Sequence, residues 1–278
     1  NTKMGIDIHN ININRVVDIT EHNRGEQDVI AAYRGDGSKV WETTDAPFYH
    51  AVYDDDELYA RSHWHYRTQH RHLLTFVCDL DGDGALEVVC GLGPIHVLDA
   101  ATGRLKQTFD LDGLAQVWSL ARLDDSGTPC IAAAVNHHRE RGSVLAINGS
   151  GEVLWQHETV GQSFEDFMRC GDLTGDGLDE VCFSMADAER FEVRDAAGEI
   201  LWDKHVPSEI GEDTHVDDLV IAPLLGEGRQ LATSTGGCLF DAEGNLLWSL
   251  NDQIEHGQKI ACAQPPGREE PLIYLNSK

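Results

Sequence analysis

The pentapeptide Gly198-Glu199-Ile200-Leu201-Trp202 is one copy of a motif that recurs along the chain. Each copy joins a glycine turn to a short apolar segment, and spacing by about 47 residues is typical of repeat architectures. The first interval is longer by about 18 residues, which indicates an insertion between two repeats. The further copies lie at 37–41, 103–107, 151–155 and 244–248, and the copy at 103–107 lacks the tryptophan.

Each repeat contains four short apolar segments separated by turn residues. Four strands in a repeat of about 40–50 residues predict a β-propeller blade, and sustained helical periodicity is nearly absent. We therefore predict an all-β chain, with a single β-propeller domain of four-stranded blades over 1–278 and an inter-blade insertion at about 45–72. In the second repeat the four segments are 74–78, 86–90, 95–99 and 104–109.

The two ends of the chain determine the expected number of blades. The residues before the first motif and after the last one together suffice for one further blade but not for two. We therefore predict five blades, the last one closed by strands from both ends. The strands expected to close it lie at 29–33, 39–43, 260–263 and 272–274.

Composition limits the partners of the chain. Its 48 acidic residues exceed its 21 basic ones, so the formal net charge is -27 at pH 7. Binding to nucleic acid depends on Lys and Arg that release counterions from phosphates, so this charge argues against a nucleic-acid partner. No apolar run approaches the roughly 20 residues of a membrane-spanning helix. With 41% hydrophobic residues the chain is nevertheless able to bury a core.

The cysteines and the N-terminus bear on the compartment. The chain has seven cysteines, an odd number, so at least one thiol is unpaired or pairs between chains. Cys78 and Cys90 flank one acidic loop, and Cys170 and Cys182 flank another. Each pair would lie side by side across a hairpin, either as a disulfide or as buried free thiols. The start at Asn1 fits a processed secreted protein or a trimmed chain, and we expect secretion.

Two loops carry oxygen-bearing residues at alternating positions around glycines. Side chains at loop positions 1, 3, 5 and 9 and a backbone carbonyl at position 7 offer the oxygen shell that Ca²⁺ prefers. We predict calcium as cofactor, in a structural role, because an ion ties a hairpin whose carboxylates otherwise repel each other. The predicted ligands are Asp79, Asp81, Asp83, Ala85 and Glu87 in the first acidic loop (79–87), and Asp172, Thr174, Asp176, Leu178 and Glu180 in the second acidic loop (172–180).

The loop pattern resembles that of known families. The run from Asp79 to Glu87 resembles the FG-GAP or VCBS type of propeller repeat, which implies a calcium-binding propeller for most of the chain. Residues 32–41 and 76–84 together are similar to rhamnogalacturonan lyases of polysaccharide lyase family 11. Ulvan lyases and similar propeller lyases are equally compatible. This second resemblance implies polysaccharide lyase activity, although those lyases have more blades than the five predicted here.

Histidines concentrate on one expected face of the propeller. Crossings between blades and loops between second and third strands share a face, opposite the acidic loops. The insertion, the run 137–141, His215 and His256 all map to it, and with them nine of the chain's 14 histidines. Loops held by a rigid scaffold are common positions for functional residues.

A face rich in His, Arg and Tyr suits an anionic glycan. β-Elimination at a uronic acid needs a cation to neutralise the carboxylate and a base to remove the C5 proton, and His titrates near neutral pH. The catalytic candidates are His63, His65 and Tyr66 as base and acid, and Arg67, Arg139 or Arg141 as the neutralising cation. His137 and His138 are further catalytic candidates on the same face. The candidates for substrate binding are Trp64, Tyr53 and Arg61.

Other interpretations of the same residues stay open. His63 and His65 point the same way along a strand, which is also compatible with a transition-metal site or with the solvent face of a long hairpin. The recurrent tryptophans are expected to pack in the core. We expect a secreted, calcium-stabilised propeller that acts on acidic polysaccharide, as a lyase if it is an enzyme. The alternative is a non-catalytic module that binds glycan or protein. The tryptophans in question are Trp41, Trp155, Trp202 and Trp248.

Overall fold

A computed structural model shows an all-β chain. Two compact units, 1–117 and 118–278, make up the fold. No helix in the described part is long and apolar enough to cross a membrane. The predicted insertion lies almost wholly outside the described residues, and the expectation of a single domain stays a prediction. The structure describes residues 11–12, 30–46, 75–111, 113–137, 141–160, 168–185, 188–211, 215–254, 256–268 and 270–277.

The first unit contains two antiparallel sheets. Strand boundaries agree with the predicted apolar segments to within a few residues, and β6 matches its segment at both ends. The first sheet is β1 (Ile11–Asn12), β2 (Ile30–Tyr33) and β3 (Lys39–Thr43). The second follows chain order through β4 (Thr75–Cys78), β5 (Glu87–Gly93), β6 (Ile95–Asp99) and β7 (Leu105–Phe109).

The second unit repeats the four-stranded pattern. Strand β8 (Leu114–Ala121) runs across the boundary of the units; its start pairs with the end of β5, and it stands next to β9 in the strand order. It is followed by β9 (Cys130–His137), β10 (Arg141–Ile147) and β11 (Val153–Val160). The next sheet is β12 (Met168–Gly171), β13 (Glu180–Met185), β14 (Arg190–Arg194) and β15 (Ile200–His205), and after it comes the short helix α1 (Val206–Glu209).

The last part of the second unit holds one complete sheet and one pair of strands. The count of five blades needs strands from both chain ends to complete one blade, and it stays a prediction. The complete sheet is β16 (Leu219–Ala222), β17 (Gln230–Thr233), β18 (Leu239–Phe240) and β19 (Leu246–Trp248). The pair is β20 (Gly257–Ala263) and β21 (Leu272–Ser277).

The repeated glycine–tryptophan motif connects successive sheets. Gly198 turns the chain between β14 and β15 with a φ of 86°, which favours glycine. A Cβ at this position would lie 2.7 Å from the ring of Trp155, which belongs to the preceding sheet. The indole Nε1 of Trp155 donates a hydrogen bond to the carbonyl of Ala196 in the same turn, at 3.0 Å. Each indole therefore fits beneath the turn of the following sheet.

The same arrangement recurs twice more, so the tryptophans serve the core as predicted. Trp41 donates to Ala100 O and lies beneath Gly103, and Trp202 donates to Ala242 O and lies beneath Gly244. These indoles and that of Trp155 are at most 9% exposed. Trp248 is half-buried against a further apolar cluster. A packing role, rather than a platform for sugar, is confirmed for the three buried tryptophans.

The cysteines are free thiols and form no disulfides. Cys78 lies opposite Glu87 in the β4–β5 ladder, and Cys170 lies opposite Val181 in the β12–β13 ladder. The side-by-side placement of Cys78 with Cys90 and of Cys170 with Cys182 is therefore wrong, because the ladders offset each pair. Burial raises the pKa of Cys90 and of Cys170 to about 12, so these thiols stay protonated at neutral pH.

Candidate functional site

The two acidic loops occupy equivalent positions in their sheets. The first joins β4 to β5 and the second joins β12 to β13, so each connects the first and second strands of a sheet as expected. The residue at loop position 9 begins the second strand, with Glu87 opposite Cys78 and Glu180 opposite Gly171. Equivalent register allows the two loops to be compared residue by residue.

The position-9 side chain closes each loop from within. Glu87 and Glu180 are only 1% and 2% exposed. Leu80 N–H donates to Glu87 Oε2 at 2.8 Å, and Leu173 N–H donates to Glu180 Oε2 at 2.6 Å. Gln230 in the β16–β17 loop has the same role, since its Oε1 accepts the N–H of Leu224 at 2.8 Å. We call this hydrogen bond, from a backbone N–H at the start of the loop to the position-9 side chain, the clamp. A neutral amide can therefore form the clamp as well as a carboxylate.

The position-1 aspartates of both loops shape the turn. Asp79 accepts hydrogen bonds from the backbone N–H groups of Gly82 and Gly84, at 2.8 and 2.9 Å. Asp172 accepts one from Gly175 N–H at 2.7 Å. Such local side-chain to backbone bonds hold short loops in turn conformations.

A lysine ammonium lies inside the first acidic loop. Lys106, on β7, places its Nζ 2.6 Å from Glu87 Oε1, 3.0 Å from Asp81 Oδ2 and 3.6 Å from Asp83 Oδ2. Its hydrogen bond lowers the pKa of Asp81, and the bonds to Glu87 and Asp81 raise the pKa of Lys106. Carboxylate oxygens of Asp79, Asp81 and Glu87 lie within 4.8 Å of one another, but calcium would have to displace the ammonium from two of them.

The second acidic loop has a different charge balance. Leu201 stands at the position of Lys106, one residue after the strand start, and within the described residues no cation forms an ion pair with Asp172, Asp176 or Glu180. Burial raises the pKa of Glu180. One carboxylate oxygen of Asp172 and one of Asp176 accept backbone N–H groups; among the described contacts, the other oxygens are left for a ligand. The second loop therefore lacks the competing ammonium of the first, whereas only the first loop holds three carboxylates within 4.8 Å of one another.

The predicted glycan-facing residues are described only in part. Tyr53, Arg61, His63, Trp64, His65, Tyr66, Arg67, His138 and Arg139 lie outside the described residues. His137 ends β9 and Arg141 begins β10, and their backbones lie directly opposite each other. These two residues end the second strand and begin the third strand of the sheet, and 138–140 between them lie outside the described residues.

Two of the predicted histidines meet in the second unit. His215 precedes β16 and His256 precedes β20, in the crossings to which the sequence assigned them. Their Nε2 atoms lie 3.7 and 3.5 Å from Oδ2 of Asp217, and their ring centroids are 5.7 Å apart. Sequence reasoning missed Asp217 and Gln258. The spacing of two residues in His215-x-Asp217 and His256-x-Gln258 was an available signal, because such pairs share one side of an extended segment.

Part of the second unit matches a protein family. The family model for the Lambda-carrageenase beta-propeller domain matches residues 140–210, about a quarter of the chain. The matched range runs from β10 to α1 and includes the second acidic loop and two of the buried tryptophans. No curated protein matches the chain.

Solved structures resemble the chain at low sequence identity. The Vibrio cholerae biofilm matrix protein Bap1 is 18% identical with a TM-score of 0.53, over 87% of this chain and 36% of Bap1. BamB from Moraxella catarrhalis is 15% identical with a TM-score of 0.42, over 80% of this chain and 55% of BamB. The Dos1 propeller is 13% identical with a TM-score of 0.47, over 84% and 67% of the two chains. The successive four-stranded sheets and the family match together show a β-propeller domain.

Proposed function

We propose that this chain is a calcium-stabilised β-propeller of five blades that acts on an acidic polysaccharide outside the cell. The observation that carries the proposal is the match of residues 140–210 to the propeller domain of a λ-carrageenase, an enzyme named for a polysaccharide. The His- and Arg-containing loops of the sequence support an anionic substrate despite the net charge of -27. The likeness to Bap1 supports the fold alone.

The proposed reaction is β-elimination at a uronic acid. Arg67, Arg139 or Arg141 would neutralise the carboxylate of the sugar, and His63, His65 or Tyr66 would remove the C5 proton. The carrageenase match supports a polysaccharide substrate but not this reaction type, because β-elimination needs a carboxylate beside the C5 proton and a polymer without uronic acid would have to be cleaved by hydrolysis. The reaction type therefore identifies the substrate class.

The proposed calcium belongs to the second acidic loop. Asp172, Thr174, Asp176 and Glu180 would supply side-chain oxygens, and Leu178 its backbone carbonyl. When bound, the ion supplies positive charge that offsets the buried Glu180 carboxylate, and no chemical step is assigned to it. In the first acidic loop Lys106 already supplies a positive charge.

Turnover on defined polymers tests the proposal. The chain is incubated with rhamnogalacturonan, ulvan and λ-carrageenan, and both the ultraviolet absorbance of unsaturated product and the release of reducing ends are followed. We expect unsaturated product from a uronate polymer, and its loss when His63→Ala and His65→Ala are combined. His205→Ala is the matched control, because His205 is an exposed histidine of the second unit, bonded to Ser208 and paired with Glu189.

The remaining outcomes separate the alternatives. Reducing ends from λ-carrageenan without ultraviolet absorbance would replace the lyase by a hydrolase. Binding to a polymer without any product would identify a glycan-binding module. Neither binding nor turnover on any polymer would overturn the proposal.

A further inference from the structure

Three potential metal ligands lie close together just before the starts of β16 and β20, namely His215, Asp217 and His256. His215 and Asp217 belong to the segment directly before β16, and His256 directly precedes β20. Strands β16 and β20 belong to separate sheets and lie close to each other. Nε2 of His215 and Nε2 of His256 both approach Oδ2 of Asp217, so the three side chains face the same space.

The distances among the three side chains suit a shared metal ion. A tetrahedral zinc ion with bonds of about 2.0–2.2 Å keeps its ligand atoms roughly 3.3–3.5 Å apart. Asp217 Oδ2 lies 3.5 Å from His256 Nε2 and 3.7 Å from His215 Nε2. The three ligand atoms all lie within 4.8 Å of one another.

The carboxylate at the centre of the cluster lacks hydrogen bonds on one side. Asp217 is 7% exposed, and its buried Oδ2 has no hydrogen-bond partner among the described residues. Its Oδ1 accepts a hydrogen bond from Gln258 Nε2 at 3.1 Å. A buried carboxylate oxygen without a hydrogen-bond donor is costly, so Oδ2 requires a positive charge beside it, which a metal ion or a protonated imidazole would supply.

The neighbouring Asp218 shows how this fold compensates a buried carboxylate when basic side chains are in reach. Arg169 lies 3.2 Å from Asp218 Oδ1 and Lys259 lies 3.7 Å from Asp218 Oδ2. Asp217 faces two imidazoles instead. Two imidazoles and a carboxylate are a donor set for a first-row transition metal, whereas calcium prefers oxygen ligands alone.

We propose that His215, Asp217 and His256 bind a divalent transition-metal ion, with zinc as the preferred metal. The side chains of His215 and His256 are 16% and 28% exposed, so a water molecule can reach a fourth coordination position. Gln258 contacts both Asp217 Oδ1 and His256 Nε2. Zinc would replace Gln258 as the partner of the lone pair on His256 Nε2. Gln258 would keep its hydrogen bond to Asp217 Oδ1 and so orient this carboxylate without binding the metal itself. This site stands independently of any action on polysaccharide.

Zinc binding to the full chain tests the site. Calorimetric titrations use metal-free protein in which His63→Ala and His65→Ala remove the other candidate histidine site. We expect zinc affinity to fall by more than about 100-fold for Asp217→Asn and by about 10- to 100-fold for Gln258→Leu, a change outside the ligand shell. His205→Ala in the same background is the matched control and keeps the parent affinity.

Cobalt provides a second measurement that does not depend on affinity alone. Co²⁺ bound by the three residues is expected to give visible absorption bands that zinc abolishes and calcium leaves unchanged. His256→Gln, with a far-ultraviolet circular dichroism spectrum like that of the parent, should lack the bands. If folded Asp217→Asn and His256→Gln proteins bind zinc as the parent does, or if calcium displaces the cobalt, the proposal is overturned.

Discussion

The two acidic loops share a sequence pattern but differ in how their negative charge is balanced. In the first, the ammonium of Lys106, on the fourth strand of the same sheet, bridges carboxylates of Asp81 and Glu87. In the second, Leu201 takes that position, and the described residues offer no cation to the equivalent oxygens. A calcium-like spacing of acids therefore does not by itself identify a calcium site. The residue facing the loop from the fourth strand has to be considered as well.

Loss of the proposed ion should have the largest effect, and only through the second loop. At calcium near 1,000 times its dissociation constant, binding stabilises the native chain by about 4 kcal/mol, and this increment should vanish in excess EGTA. Asp172→Ala should abolish the increment, while Asp79→Ala, the matched change in the first loop, should leave most of it. Urea unfolding with and without calcium measures both. An equal loss in the two variants would show that the loops bind calcium alike.

The residues Lys106 and Leu201 occupy the same place on the fourth strands of their sheets. Exchanging their types should exchange how the stability of the two loops responds to calcium. Lys106→Leu leaves the buried Glu87 without its charged hydrogen bond and should cost about 2 kcal/mol in EGTA, because bonds to charged groups are worth more than neutral ones. Part of that loss should be recovered with calcium. Leu201→Lys should reduce the calcium response of the second loop.

The same unfolding titrations check the exchange, with Leu247→Lys as a control. Leu247 is an exposed fourth-strand residue at the corresponding place in the β16–β19 sheet, whose first loop carries Gln230 at the clamp. If Leu201→Lys and Leu247→Lys change the calcium response equally, the charge at position 201 is not the cause.

Much of this fold could be predicted from the sequence, because each repeat contains a recognisable glycine turn followed by an apolar segment that usually ends in tryptophan. The segment 95–99 became β6 without change. The interlock of Trp155 with the turn at Gly198 was not predictable, since it joins residues of different repeats. For the same reason the loop pattern revealed the carboxylates but not Lys106, and two scattered histidines did not reveal Asp217. Contacts between separate strands depend on register, which the spacing of one motif does not specify.

The smallest expected effect comes from replacing the position-9 glutamate of either acidic loop by glutamine. The resulting change in the free energy of unfolding should have opposite signs in the two loops. Glu180→Gln keeps the backbone hydrogen bonds, as Gln230 does in its own loop, and removes a buried charge. Without calcium it should stabilise the chain by about 1 kcal/mol at neutral pH, because desolvation of the buried carboxylate outweighs the hydrogen bonds that it accepts. Glu87→Gln should destabilise it by a similar amount, because Lys106 loses a charged partner.

The pH dependence of stability in Glu180→Gln and in the parent chain tests the charge balance of the second loop most directly. Burial raises the pKa of Glu180 in the folded chain above its ordinary value of 4.5. The contribution of the Glu180 carboxyl to the free energy of unfolding is therefore fully present below pH 4.5 and is lost as pH rises through the raised pKa of the folded chain. In EGTA, the advantage of Glu180→Gln over the parent should therefore shrink to nothing as pH falls toward 4.5, as measured by urea unfolding. An advantage that persists at low pH would mean that Glu180 is not the buried charge that calcium offsets.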